Sequence, residues 1–189
     1  MISARVERAQ IRITWRKIMA WLGPRDKTAI LVCAAFVFGL ALLRFGWLEA
    51  MACCALGGIG AAITLIDLRH FRIPDLLSLP LIPLGIFATE VAVAPLLPRL
   101  LAMVVVWAVL TLMQRSFVAL RGRSGLGSGD VKLMAAASAW LDPIVFPSFI
   151  LAAAGTGLFE GLLRRSGFES RIAFGAHLAP WLMVFVLAA

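Results

Sequence analysis

Seven apolar runs follow one another along this chain, at about residues 28–43, 46–66, 76–94, 96–114, 130–141, 144–163 and 172–188. They are apolar on every side, unlike the alternating strands of about ten residues that build a transmembrane barrel. A bilayer core offers backbone amides no water, so segments of this kind cross it as helices that satisfy their own hydrogen bonds. The expected fold class is all-α integral membrane, a polytopic helical bundle of about six to seven transmembrane segments. Several runs are shorter than the roughly 20 residues of a perpendicular span, so tilt, local thinning or partial insertion is expected for them. Composition agrees, because hydrophobic residues make up 62% of the 189 and charged residues only 15%, far from a soluble globular balance.

The net charge of +8 would suggest a nucleic-acid partner on a soluble surface, but its placement reads as topology, and no nucleic acid is expected. With a cytoplasmic amino terminus, residues 67–75, 115–132 and 163–171 all face the cytoplasm. Seven cations then lie in residues 1–27, with Arg69, Arg72, Arg115, Arg121, Arg123, Lys132, Arg164, Arg165 and Arg171 on the same side. That makes sixteen of eighteen, with Arg44 and Arg99 outside, a strong positive-inside bias. The same count favours a break in the 130–163 stretch at Trp140-Leu141-Asp142-Pro143, leaving Trp140 and Asp142 at the far interface.

Two units are expected: a basic cytoplasmic or interfacial arm at 1–27 and a membrane-embedded domain at 28–189. In the arm Ile11, Trp15, Ile18 and Leu22 recur at helical spacing opposite Arg12, Arg16 and Lys17, the pattern of an interfacial amphipathic helix. No cleavage is expected there, because Leu42-Leu43-Arg44-Phe45 offers no small-residue site. Cys33, Cys53 and Cys54 lie in apolar runs with no CxxC spacing, which points to small buried hydrophobes. No metal or other cofactor is expected.

Against this background two aspartates stand out, Asp67 at the end of the second run and Asp130 at the start of the fifth. Ionisable groups at membrane depth are costly and mark functional sites. The topology puts both at the cytoplasmic rim. Two carboxylates within reach of each other share a proton, so one activates water as a general base while the other protonates the scissile group. In Gly125-Leu126-Gly127-Ser128-Gly129-Asp130 the glycines, Gly127 and Gly129 among them, permit backbone conformations closed to other residues and close approach of a substrate chain. Pro74 lets a new helix start at Asp75, whose carboxylate suits a helix amino terminus. Lys132 either snorkels to the interface or tunes Asp130. Arg69, His70 and Arg72 read as a cytoplasmic anchor, and Glu160 faces either a partner helix or the cytoplasmic rim near Arg164, an ion pair at helical spacing being the expected reading. Ser128 and His177 do not form a serine protease pattern, and the glycine turn lacks P-loop order. A proton-coupled carrier or assembly subunit that uses the aspartates as relays or helix contacts is the alternative from another class.

At these residues the chain resembles the type IV prepilin peptidases, integral-membrane aspartyl proteases with a GxGD motif. Ile66-Asp67, followed by Ile73-Pro74-Asp75-Leu76-Leu77-Ser78-Leu79-Pro80, is similar to the family's first aspartate motif. Gly127-Ser128-Gly129-Asp130-Val131-Lys132-Leu133 is similar to its G-x-G-D-x-K-L helix. Ile172-Ala173-Phe174-Gly175-Ala176-His177-Leu178-Ala179 resembles its closing P-F-G-P-x-L-A run, with Ala173 and Ala176 in place of both prolines. The resemblance covers about residues 46–185. It implies a GxGD aspartyl protease fold in the bacterial inner membrane, with Asp67 and Asp130 catalytic and Gly127, Gly129, Lys132, Pro74 and Asp75 in support. It also implies a prepilin or pseudopilin substrate, cut at the cytoplasmic face where its basic leader meets its apolar helix. Larger members carry a paired-CxxC insertion and methylate the new amino terminus. Without that insertion, peptidase activity alone is expected, as in the small enzymes of tight-adherence pilus systems.

Overall fold

The computed structural model describes residues 14–88, 95–122, 125–163 and 172–189. Ile11 and Arg12 of the amino-terminal pattern, and Arg123, Arg164, Arg165 and Arg171 of the cation count, lie outside them. Every regular element among the described residues is an α-helix: α1 (Trp15–Trp21), α2 (Pro24–Leu42), α3 (Trp47–His70), α4 (Asp75–Ser78), α5 (Leu81–Phe87), α6 (Leu96–Arg121), α7 (Ser128–Ala137), α8 (Phe146–Leu163) and α9 (Gly175–Ala188). Each apolar run thus contributes helix. The third is divided at Leu79-Pro80, because proline has no N–H with which to continue α4. The 130–163 stretch is two helices separated by turns at 138–145.

By length and composition α3, α6 and α8 can each cross a membrane. In α6 apolar side chains face outward all round, Leu120 being 84% exposed, a surface suited to lipid and hostile to water. The centre of the molecule is α3, with α2 and α9 packed along it, while α7 touches α4, α5, α6 and α9. Close approach of α2 to α3 depends on Gly57, where a β-carbon would lie 2.9 Å from Val37 Cβ. Ile63, Ile66, Leu133, Phe149, Leu178 and Leu182 fill the core.

Two residues expected toward the outer side are buried within the bundle. Trp140 is buried and its indole Nε1–H donates to the Leu81 carbonyl at 2.8 Å, the acceptor a buried indole requires. Arg99 is buried as well, and its Nη1 donates to the Ala139 carbonyl at 2.8 Å and the Gly85 carbonyl at 3.1 Å. Carbonyls near helix ends lack intrahelical donors, and here one guanidinium supplies them for α5 and for the turn after α7. Asp142 makes a local turn, its Oδ1 accepting the Ile144 N–H at 2.7 Å.

The start of the described chain is fastened to the end of α3. Ile18 and Leu22 are buried while Trp15, Arg16 and Lys17 are exposed, and α2 runs across residue 27. The Trp21 ring stacks on His70 with centroids 4.4 Å apart. Arg69 donates from Nη1 and Nη2 to the two oxygens of Asp26 at 2.5 and 2.6 Å, the bidentate geometry that suits a guanidinium and a carboxylate. Asp26 also accepts the Gly23 N–H at 2.8 Å, capping the amino terminus of α2. The Arg69 guanidinium and that amide hold the Asp26 carboxyl down at about 2.

Candidate active site

The last turn of α3 carries Asp67, and the helix stops four residues later because Phe71 adopts a left-handed conformation, φ 50° and ψ 43°. Such a residue ends a helix, and its N–H returns to the Asp67 carbonyl at 2.9 Å. The chain then runs extended through Ile73 to Pro74, which precedes α4. Asp75 is the first residue of α4, and its Oδ2 accepts from Lys132 Nζ of α7 at 2.7 Å. That ion pair joins the first aspartate motif to the second. Lys132 also lines a cavity of about 300 Å³, otherwise apolar, with Leu79, Met103, Val104 and Trp107.

Asp130 stands at the third position of α7, half-buried, and its carboxylate accepts the N–H of Gly127 just before the helix. Asp26 does the same to Gly23 in α2, so this contact is an ordinary capping device. Asp67 is buried, and its Oδ2 accepts the Ala176 N–H in the first turn of α9 at 3.1 Å. The same N–H points toward the Ala173 carbonyl at 3.1 Å.

Ile73 is where the three motifs meet. A β-carbon at Gly129 would lie 2.9 Å from Ile73 Cβ, and one at Gly175 would lie 2.5 Å from Ile73 Cδ1 and 3.0 Å from Asp67 Oδ2. The amino termini of α7 and α9 therefore close on one side chain, six residues after Asp67, and the charge of Asp67 acts on Asp130. Glycine is required here for space. Conformational freedom and close approach of a substrate chain were both expected, and among the described glycines only Gly122 has positive φ. The body that approaches Gly129 so closely is the protein's own Ile73.

Sequence reading missed a further pair. His177 Nε2 of α9 lies 2.6 Å from Glu160 Oε2 of α8, so Glu160 has a partner on another helix, whereas Arg164 lies outside the described residues. Both are lone ionisable groups in apolar runs, a signal that could have joined them. Among the described residues no three His, Cys, Asp or Glu side chains are grouped as metal ligands.

Residues 54–162 match the model of the type IV leader peptidase family. The chain belongs to that family. The match takes in both aspartates of the site. Among its type IV leader peptidase relatives are proteins named prepilin leader peptidase/N-methyltransferase. The one from Dickeya chrysanthemi is 36% identical over 156 residues, covering 77% of this chain and 54% of the relative. The one from Neisseria gonorrhoeae is 33% identical over 148 residues, 75% of this chain and 50% of the relative. That from Xanthomonas campestris is 32% identical over 163 residues, 82% and 55%. The chain spans about half the length of these curated relatives. No solved structure gives a significant match.

Proposed function

We propose that the chain is a membrane aspartyl endopeptidase that removes the basic leader from prepilin-like proteins, with Asp67 and Asp130 as its catalytic pair. The observation that carries this reading is the convergence on Ile73 of the segments bearing the two aspartates and the amino terminus of α9. Two carboxylates that feel each other's charge favour the state that holds a single proton between them. The ionised member takes a proton from water, whose oxygen adds to the scissile carbonyl carbon, while the protonated member donates to the carbonyl oxygen. The C–N bond then breaks as the amine leaves with the proton first taken from water, and the second carboxylate recovers its proton from a hydroxyl of the tetrahedral diol. The pair is left ready for another cycle.

The site belongs, on this reading, at the cytoplasmic rim of a bacterial inner membrane, as the positive-inside bias supports. A substrate made of a basic leader and an apolar helix reaches such a rim by diffusing in the bilayer while its leader stays in water. The proposed chemistry is hydrolysis without methyl transfer. The cysteines of this chain sit within α2 and α3 and form no CxxC pair.

The test is co-expression with a reporter prepilin, followed by its size on a gel and the mass of its new amino terminus. Cutting by the intact chain, no cutting by Asp67→Asn or Asp130→Asn, and an unmethylated product are expected. Undiminished cutting by either variant rules out the pair. A product heavier by one methyl group rules out the hydrolysis-only reading.

A further inference from the structure

Glu160 and His177 belong to neither aspartate motif, yet their bond of 2.6 Å lies one residue from the amide that holds Asp67. The ring is fitted between α8 and α9. A β-carbon at Gly157 would touch His177 Cδ2 at 3.5 Å, and one turn on, Trp181 Nε1 donates to Thr156 Oγ1 at 3.2 Å. This turn of α9 needs such support, because Pro180 has no N–H to give the carbonyl of Ala176. The same turn carries Gly175, packed against Ile73, and Ala176, bonded to Asp67. A displacement of its backbone therefore moves the hydrogen bond on the Asp67 carboxylate.

Neither α8 nor α9 has another titratable side chain. On α3 the nearest cation, Arg69, is bound to Asp26, and on α7 Lys132 is bound to Asp75.

We infer that Glu160 and His177 are a positioning pair for Asp67: through their bond α8 fixes the first turn of α9, so that the Ala176 amide keeps the Asp67 carboxylate in its working orientation. The inference rests on the peptidase reading above and deepens it, giving both residues a part played through Asp67. Misplacing a reacting group by an ångström can lower turnover by about a hundredfold.

The experiment uses the full chain in lipid vesicles with an inserted reporter peptide that has a basic leader ahead of an apolar helix. Rates and thermal midpoints are compared for the intact chain, His177→Leu, His177→Gln, Glu160→Gln, the Glu160→Gln/His177→Leu double variant and Asp67→Asn. His177→Leu is expected to lower kcat roughly ten- to a hundredfold with KM unchanged. His177→Gln, whose amide still donates to Glu160, is expected to recover most of that loss, and the double variant to be no worse than His177→Leu. Wild-type kcat in His177→Leu, additive losses in the double variant, or a loss matched by a collapse of the thermal midpoint in both His177 variants overturns the positioning role. If Asp67→Asn is dead while His177→Leu is fully active, only the positioning inference falls. If Asp67→Asn cuts normally, the catalytic pair falls and the inference with it.

Discussion

Asp67 has almost no room to move, since one of its oxygens is bonded to the Ala176 amide and would be 3.0 Å from any β-carbon at residue 175. Gly175→Ala tests whether that confinement matters. The other near contacts, Ile73 Cδ1 at 2.5 Å and Cγ1 at 2.9 Å, must also give way, so the added methyl presses on both the carboxylate and the side chain packed beside it. Processing is expected to fall roughly tenfold or more, with a drop in thermal midpoint as Ile73 gives way, as followed by rate and by unfolding in detergent. Wild-type processing by this variant contradicts the close packing around Asp67. Both aspartates were legible in the sequence because a carboxylate beside an apolar run is rare. Their surroundings were not. Lys132 pairs with Asp75 across 57 residues of chain and His177 with Glu160 across 17, separations that no helical spacing rule connects.

Among the elements, the join between the chain start and α3 depends on Asp26 and Arg69. The Asp26 carboxyl titrates near 2 in the folded protein and near 3.8 when unconstrained, so the folded state holds fewer protons there. A depressed folded pKa stabilises the protein above the unfolded value, and the contribution fades as pH falls toward the folded one. Asp26→Asn is therefore expected to have a lower thermal midpoint than the intact chain at pH 7, and the gap to close between about pH 4 and pH 2. A gap independent of pH across that window contradicts the ion pair as its cause. The sequence placed Arg69 at a cytoplasmic anchor, but its partner lies 43 residues earlier and only the packing of α2 on α3 unites them. The hydropathy of the seven runs anticipated where helix forms, since burial in lipid is a property of each run alone. It could not anticipate that Trp140 and Arg99 turn inward, because their acceptors at Leu81, Gly85 and Ala139 belong to other helices.

For the molecule as a whole, the charge distribution supports the proposal that both aspartates work at the cytoplasmic face. In a variant with Cys33, Cys53 and Cys54 replaced by alanine, a single cysteine at Gly122 or at Asp142 reports the side of the membrane. A maleimide that cannot cross the inner membrane is expected to label position 142 in intact spheroplasts, and position 122 only after lysis. Labelling of both from outside contradicts the orientation. The central claim itself is that Asp67 and Asp130 act as one unit on a single proton. Groups that act as a unit lose their function together, so removing the second costs nothing more. The decisive measurement is the single-turnover cleavage rate of a vesicle-inserted reporter by Asp67→Asn, Asp130→Asn and the double variant. Each single substitution is predicted to lower the rate by roughly 10²- to 10⁴-fold, with the double variant no slower than the worse single. Cleavage near the wild-type rate by either single variant, or losses that multiply in the double, contradicts the account.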